Sequence, residues 1–451
     1  MVRDTGPPDV IALNTETMDI AYTKHTLPNG LPVLIHEDHR CPIVAVNLWY
    51  HVGSKDEQPG RSGFAHLFEH LMFEGSAHYD HGYFQPLQQA GAVLNGSTNT
   101  DRTNYWEVVP TGALELALWM ESDRMGHLLP ALTEEKFRNQ RDVVLNERRQ
   151  NYENRPYGMA GMAIVGALFP PGHPYHWLTI GSPDDLRAAS LDDVRAFFSR
   201  HYHPANASLA LAGDVDPDAV LPLVEAYFGP LDAGPATDVV THDERDVRAG
   251  RLVMEDGVEL PRLYLTWVSA AMFAPGDADL DLVADILGDG KSSRTYKTMV
   301  YESRLATDVM AMQHSRELCS CFQIVATAAP GHDLAELEAA IEAEVVRLAE
   351  SGPTESEMRR SLAQAEAQFI YRVQTVGGFG GKSDQLNQYN VMLGDPGYFG
   401  QDLQRYRDAT SSSVTRAARG VLVGSPRVAV SVVPHGRLDL ALPDSTKVVC
   451  S

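Results

Sequence analysis

Apolar residues along the chain switch between a period of two and a period near 3.6, and the switches mark the elements. Leu31–His36 and Ile43–Val52 read as strands, rich in β-branched and aromatic residues. Gly63–Phe73 then sets Phe64, Leu67, Phe68, Leu71 and Met72 at the spacing of one buried helix face. A second strand-like region lies near Thr98–Val109, followed by helical patterns over Thr111–Met125 and Glu134–Tyr152. A helix from Leu191 and a strand over Ala207–Gly213 close the first half.

The second half repeats this order loosely. Arg262–Ser269 reads as a strand, Ala278–Glu302 as mostly helix and Cys321–Ala328 as strand. Leu334–Glu350 and Thr354–Tyr371 are helical, and Val428–Val433 is a strand. Thr133 and Thr354 each precede an acidic first turn, the pattern of a helix N-cap. Strands mixed with long helices in each half predict an α+β fold of two homologous domains, each a mostly antiparallel sheet flanked by helices. Residues 1–233 form the first domain, 234–250 a polar linker and 251–451 the second.

Composition narrows the function. The chain has 451 residues, 44% of them hydrophobic, enough to bury more than one core. Its 37 Lys+Arg against 60 Asp+Glu give a net charge of −23, which disfavours nucleic acid as a partner. Solubility is the plain reason for such a surface; attraction of cationic substrates is the narrower one. No run of about 18 apolar residues exists, so no membrane partner is expected. Met1–Pro8 lacks the basic-then-apolar pattern of a leader. Cys41, Cys319, Cys321 and Cys450 are too scattered for a disulfide framework, and a cytoplasmic location is expected.

Within Phe64–Phe73, the residues His66, Glu69 and His70 fall on a face away from the apolar stripe. Side chains four apart stack one turn above another, so two imidazoles there can reach one ion. A catalytic zinc takes three protein ligands and leaves a place for water, whose proton an adjacent carboxylate can accept. Glu147 is the candidate third ligand: it continues the face suggested by Phe137, Val143 and Val144, where an unpaired carboxylate is costly. Its competing role is a salt bridge to Arg141 or Arg148. Glu153 is an alternative ligand, close to Pro156 where the helix should end.

The run His66-Leu67-Phe68-Glu69-His70 is an inverted zinc motif. It resembles that of the pitrilysin and insulinase family, which includes the mitochondrial processing peptidase. Leu27-Pro28-Asn29-Gly30-Leu31, Gly53-Ser54 and His70-Leu71-Met72-Phe73-Glu74-Gly75 are similar to segments around that motif. So are Asp142-Val143-Val144-Leu145-Asn146-Glu147 and, in the second half, Gly288-Asp289-Gly290-Lys291-Ser292-Ser293-Arg294. The resemblance implies a zinc metallopeptidase with Zn2+ on His66, His70 and Glu147 and with Glu69 as general base. It also implies an edge strand that pairs with extended peptide substrate, matched by Asn95-Gly96-Ser97-Thr98. The dipeptide Asn95-Gly96 equally suits a hairpin turn.

Two departures stand out. The family carries a spaced Arg and Tyr in its second domain, where this chain has Val300 and Thr307; Arg304 is displaced from the pattern. That loss implies a non-identical homologous partner subunit supplying both groups. Gln140 replaces a glutamate two turns before the ligand. Gly290-Lys291-Ser292 and Gly381-Lys382-Ser383 end like phosphate loops but lack the opening glycine, and Gly377–Gly381 reads as a flexible loop. A dedicated processing protease and a non-catalytic structural subunit of the same fold remain the rival functions.

Overall fold

The computed structural model describes residues 18–237, 240–241 and 248–449. Met1–Pro8, Cys450 and the 238–239 and 242–247 parts of the expected linker lie outside the described residues. Twelve strands are described: β1 (Thr23–Thr26), β2 (Pro32–Glu37), β3 (Ile43–Tyr50), β4 (Val93–Thr98), β5 (Thr103–Pro110) and β6 (Ala207–Gly213) in the first half. The second half holds β7 (Gly250–Asp256), β8 (Arg262–Ser269), β9 (Ala306–His314), β10 (Ser320–Ala328), β11 (Arg427–Pro434) and β12 (Thr446–Lys447).

They form two six-stranded sheets, ordered β1-β2-β6-β3-β5-β4 and β12-β7-β11-β8-β10-β9. Five strands correspond one to one: β2, β6, β3, β5 and β4 match β7, β11, β8, β10 and β9 in the same spatial order. In each sheet the first of these pairs is parallel and the other three are antiparallel. The architecture is thus α+β and internally duplicated.

Each sheet needs two covers, and the halves exchange one. Helices Phe64–Leu71 and Leu114–Ala131 lie on one face of the first sheet, where Leu67, Phe68, Leu71 and Leu118 join Val44, Val46 and Leu48 in its core. Its other face carries helix Lys382–Leu393 from the second half, with Leu386 and Tyr389 against Leu34 and Ala210. Conversely, helix Ala160–Leu168 of the first half packs Ile164 and Leu168 on Val428, Val430 and Val432 of the second sheet. Neither half buries both faces of its own sheet. Among the described residues no helix is long and apolar enough to cross a membrane.

Thr133 and Thr354 do cap their helices: their hydroxyls accept from the backbone N–H of Lys136 and Glu357. The stretch Ala278–Glu302 is not one helix. It divides into Asp277–Gly288 and a wider helical segment Tyr296–Glu302, separated around Gly290, which takes a left-handed φ of 69°. The region near Thr98–Val109 is a hairpin rather than one strand. Asn99 makes its turn, its side-chain oxygen accepting the N–H groups of Asp101 and Arg102 at 2.8 and 2.9 Å. Asn95-Gly96 is therefore inside β4, not the turn. Gly377–Gly381 is seated rather than free: a Cβ on Gly377 would come within 2.5 Å of Ala45 and 2.7 Å of Val108 on the first sheet.

Candidate active site

The helix Phe64–Leu71 begins without a local cap, since Gly63 offers no side-chain oxygen and sits at φ 90°. Its first N–H groups need another acceptor. Buried Glu57 provides it, taking the N–H of Gly63 and of Ala65 at 2.9 Å each, and the indole N–H of Trp177 at 2.8 Å. Burial pushes this carboxyl up to about 8, against the three donors that favour its charged form. On the apolar side Phe68 packs on the rings of Phe197 and Tyr202, with centroids 5.7 and 5.1 Å away. That anchoring turns His66, Glu69 and His70 toward the ligand helix.

The helix Glu134–Arg148, called the ligand helix for its candidate ligand Glu147, buries Phe137, Val144, Leu145 and Arg148. Val143 is 44% exposed, so the buried face includes Leu145 and Arg148 in place of Val143, and Glu147 sits on its rim. There one Glu147 carboxylate oxygen lies 3.6 Å from His66 Nε2 and 3.4 Å from His70 Nε2. The imidazole centroids are 4.9 Å apart with perpendicular planes. Such separations are long for hydrogen bonds, but ligands about 2.0–2.1 Å from one tetrahedral zinc stand about 3.3 Å from each other. The three side chains fit that ion.

The competing partners are engaged elsewhere. Arg148 donates to Glu153 at 2.9 Å and to the Gly181 carbonyl at 2.7 Å, which occupies the alternative ligand as well. Arg141 pairs with Asp142. Gln140 donates its amide N–H to Glu74 at 2.6 Å, tying the ligand helix to the residue just beyond the histidine helix. A glutamate at 140 would set two carboxylates against each other; the neutral amide avoids that.

Burial, then the neighbouring His70, holds the His66 imidazole down at about 4, so its ring is neutral and its lone pair free near neutral pH. Burial raises the Glu69 carboxyl, with Thr98, His70 and Arg102 opposing. Contact with His70 lowers Glu147 despite partial burial.

Beside Glu69 runs β4, the terminal strand of its sheet. Its outer edge offers unpaired backbone groups to another extended chain. Gly96 is required by packing: a Cβ there would lie 3.1 Å from both Phe73 and Tyr105. Ser97 is fixed by Arg102, which donates to its carbonyl at 2.8 Å and its hydroxyl at 2.6 Å while stacking over Trp49. Arg102 and Glu57 both escaped the sequence reading. The uncapped Gly63 was the available signal for Glu57; nothing local marks Arg102, whose role depends on the hairpin. In the second half, Val300 lies in Tyr296–Glu302 and Thr307 on the edge strand β9, while Arg304 adopts a left-handed φ of 56°.

A duplicated α+β fold with an inverted His-x-x-Glu-His helix facing a glutamate defines a metallopeptidase-like class. Residues 32–164 match the model of the insulinase family, peptidase family M16, and residues 188–365 match the peptidase M16 inactive domain. The chain belongs to this family. Over 375 residues it is 30% identical to the zinc protease PqqE of Helicobacter pylori, covering 81% of this chain and 83% of that protein. A probable mitochondrial-processing peptidase subunit beta of Arabidopsis thaliana is 23% identical over 366 residues, covering 77% of this chain and 67% of the relative. The crystal structure of a protease from Helicobacter pylori superposes with a TM-score of 0.84 at 27% identity, covering 92% of this chain and all of that one. The first half of the periplasmic protease PqqL from Escherichia coli shares the fold, with a TM-score of 0.74 at 16% identity over 94% of each chain.

Proposed function

We propose that this chain is the zinc-carrying subunit of an endopeptidase that hydrolyses peptides or unfolded segments. The observation that carries the reading is the single Glu147 oxygen placed 3.6 and 3.4 Å from the two imidazole nitrogens, on the face that also presents Glu69. Zinc held by His66, His70 and Glu147 would supply Lewis acidity and a lowered pKa for bound water. Glu69, raised by burial, takes the proton of the attacking water and returns it to the leaving amine nitrogen. The edge formed by Asn95, Gly96, Ser97 and Thr98 pairs with extended substrate main chain, so shape governs choice more than sequence. The relatives' names, zinc protease and processing peptidase, support the same chemistry.

A cation to stabilise the developing oxyanion is missing where the resemblance places one, because Val300 and Thr307 are neutral. A non-identical partner of similar fold fills that role, packing its two domains with these around a closed chamber. Full activity of the purified chain alone on unstructured peptides would refute the partner. Metal analysis with peptide cleavage by the assembled protein, comparing parent and Glu69→Gln, tests the chemistry. Zinc is retained and turnover falls by about 10²–10⁴. Unchanged turnover would exclude Glu69 as the base.

A further inference from the structure

Among the described residues a second set of metal-type donors converges away from the first. The ligand atoms of His78, Asp123 and His127 lie within 4.8 Å of one another. The chain builds this cluster through a defect in helix Leu114–Ala131. Pro130 inside that helix has no N–H for the carbonyl of Gly126, and its ring crowds that carbonyl. The backbone leaves helical geometry at His127, with φ −132° and ψ 21°. There the His127 carbonyl accepts the N–H of Ala77 at 2.9 Å, docking the loop that follows the histidine helix onto the kink.

The docking sets the His78 and His127 rings 4.8 Å apart at 82°, close to the 4.9 Å and 90° of His66 and His70. Asp123 lies four residues before His127 on the same helix and is only 4% exposed. Its carboxylate accepts the Ser76 hydroxyl and contacts His78 Nδ1 at 2.5 Å. A buried carboxylate held by a serine and a histidine, with no Lys or Arg paired to it among the described residues, is a suitable seat for a cation.

We propose that His78, Asp123 and His127 form a second site for a divalent metal ion. Two imidazoles and one carboxylate select the borderline class of zinc, cobalt, nickel and copper over calcium or magnesium. Binding requires the His78 ring proton to sit on Nε2, leaving Nδ1 a free lone pair. It also requires the ring to retreat from 2.5 Å to about 3.3 Å from the carboxylate, the spacing of two ligands on one ion. The exposed His78 side chain has room to do so. An ion there fastens the loop 75–83 to the kinked helix. That loop also reaches the ligand helix through the Asp80–Lys136 pair.

Chelator-treated protein titrated with Co2+, followed by equilibrium dialysis and visible absorbance, separates the two sites. The parent binds two equivalents. His78→Ala/His127→Ala binds one, and the exposed-surface change His78→Gln alone weakens the second equivalent at least tenfold with the fold intact by circular dichroism. His66→Ala/His70→Ala keeps the second site. A parent binding one equivalent that survives His78→Gln, or a second equivalent unaffected by it, overturns the proposal. A single equivalent lost with His78 and His127 but kept without His66 and His70 would instead overturn the first site.

Discussion

Glu57→Ala removes the acceptor of two buried donors, the Gly63 and Ala65 N–H groups at 2.9 Å, and one of two acceptors of the Trp177 indole, which lies 2.8 Å from Glu57 and keeps the Ser54 carbonyl at 3.1 Å. A buried donor left without a partner costs about 1–3 kcal/mol, and a lost helix cap alone costs about 1 kcal/mol. Water entering the vacated space recovers part of that, so a loss of about 3–5 kcal/mol is expected. Against a typical stability of about 5–15 kcal/mol this is a large fraction. Glu57→Gln keeps one oxygen for Gly63 and Trp177 but turns its amide toward the Ala65 N–H, and costs about 1–2 kcal/mol. Urea unfolding at pH 7 reads both as shifts in midpoint at constant slope. Because the same cap holds the histidine helix, competition with a chromogenic chelator should show zinc affinity falling about 10–100-fold in the alanine variant. An alanine variant that unfolds within about 0.5 kcal/mol of the parent and keeps its zinc affinity would refute this account of how the helix is held.

The neighbouring contacts give further tests. Gln140→Glu replaces the 2.6 Å bond to Glu74 with two facing carboxylates and should cost about 2 kcal/mol, recovered by adding Glu74→Lys; melting temperatures of the three variants decide it. Burial alone would raise the Glu357 carboxyl, but Arg294 at 2.8 Å on both its oxygens and the Thr354 cap hold it at about 2, below its ordinary 4.5. A depressed acid stabilises above its unfolded value and loses that contribution as pH falls through the folded one, so about 3 kcal/mol should disappear between pH 4.5 and pH 2. Glu357→Gln should flatten the acid limb of stability in that window. Expressed separately, residues 1–233 and 251–451 should each show low cooperativity and bind a hydrophobic dye, because Leu34 and Ala210 lose Leu386 and Tyr389, and Val430 loses Ile164. Mixing the halves should restore a sharp transition.

What the sequence disclosed follows the range of each interaction. The histidine helix was legible because Phe64, Leu67, Phe68 and Leu71 repeat at helical spacing and His66, Glu69 and His70 share that short segment. Glu147 was singled out on partly mistaken grounds. Val143 points to solvent, and the face that matters carries Arg148, whose burial depends on Glu153 and the Gly181 carbonyl. The central strands β3, β6 and β11 are buried along almost their whole length and read clearly. Edge strands β4 and β9 alternate weakly, since one side of each lacks a partner strand; β4 in addition opens with Val93 at 66% exposed. The exchange of Ala160–Leu168 and Lys382–Leu393 between halves could not be read from either half. Each helix is shaped for a sheet whose strands lie far away in sequence, in the other half of the chain.

Anomalous diffraction at the zinc absorption edge, from crystals of the purified protein, tests the metal site most directly. The account predicts a peak about 2.0–2.2 Å from His66 Nε2, His70 Nε2 and a Glu147 carboxylate oxygen, with the Glu69 carboxylate free beside it. A Glu147 side chain turned away from the two imidazoles, with no zinc between them, would contradict it.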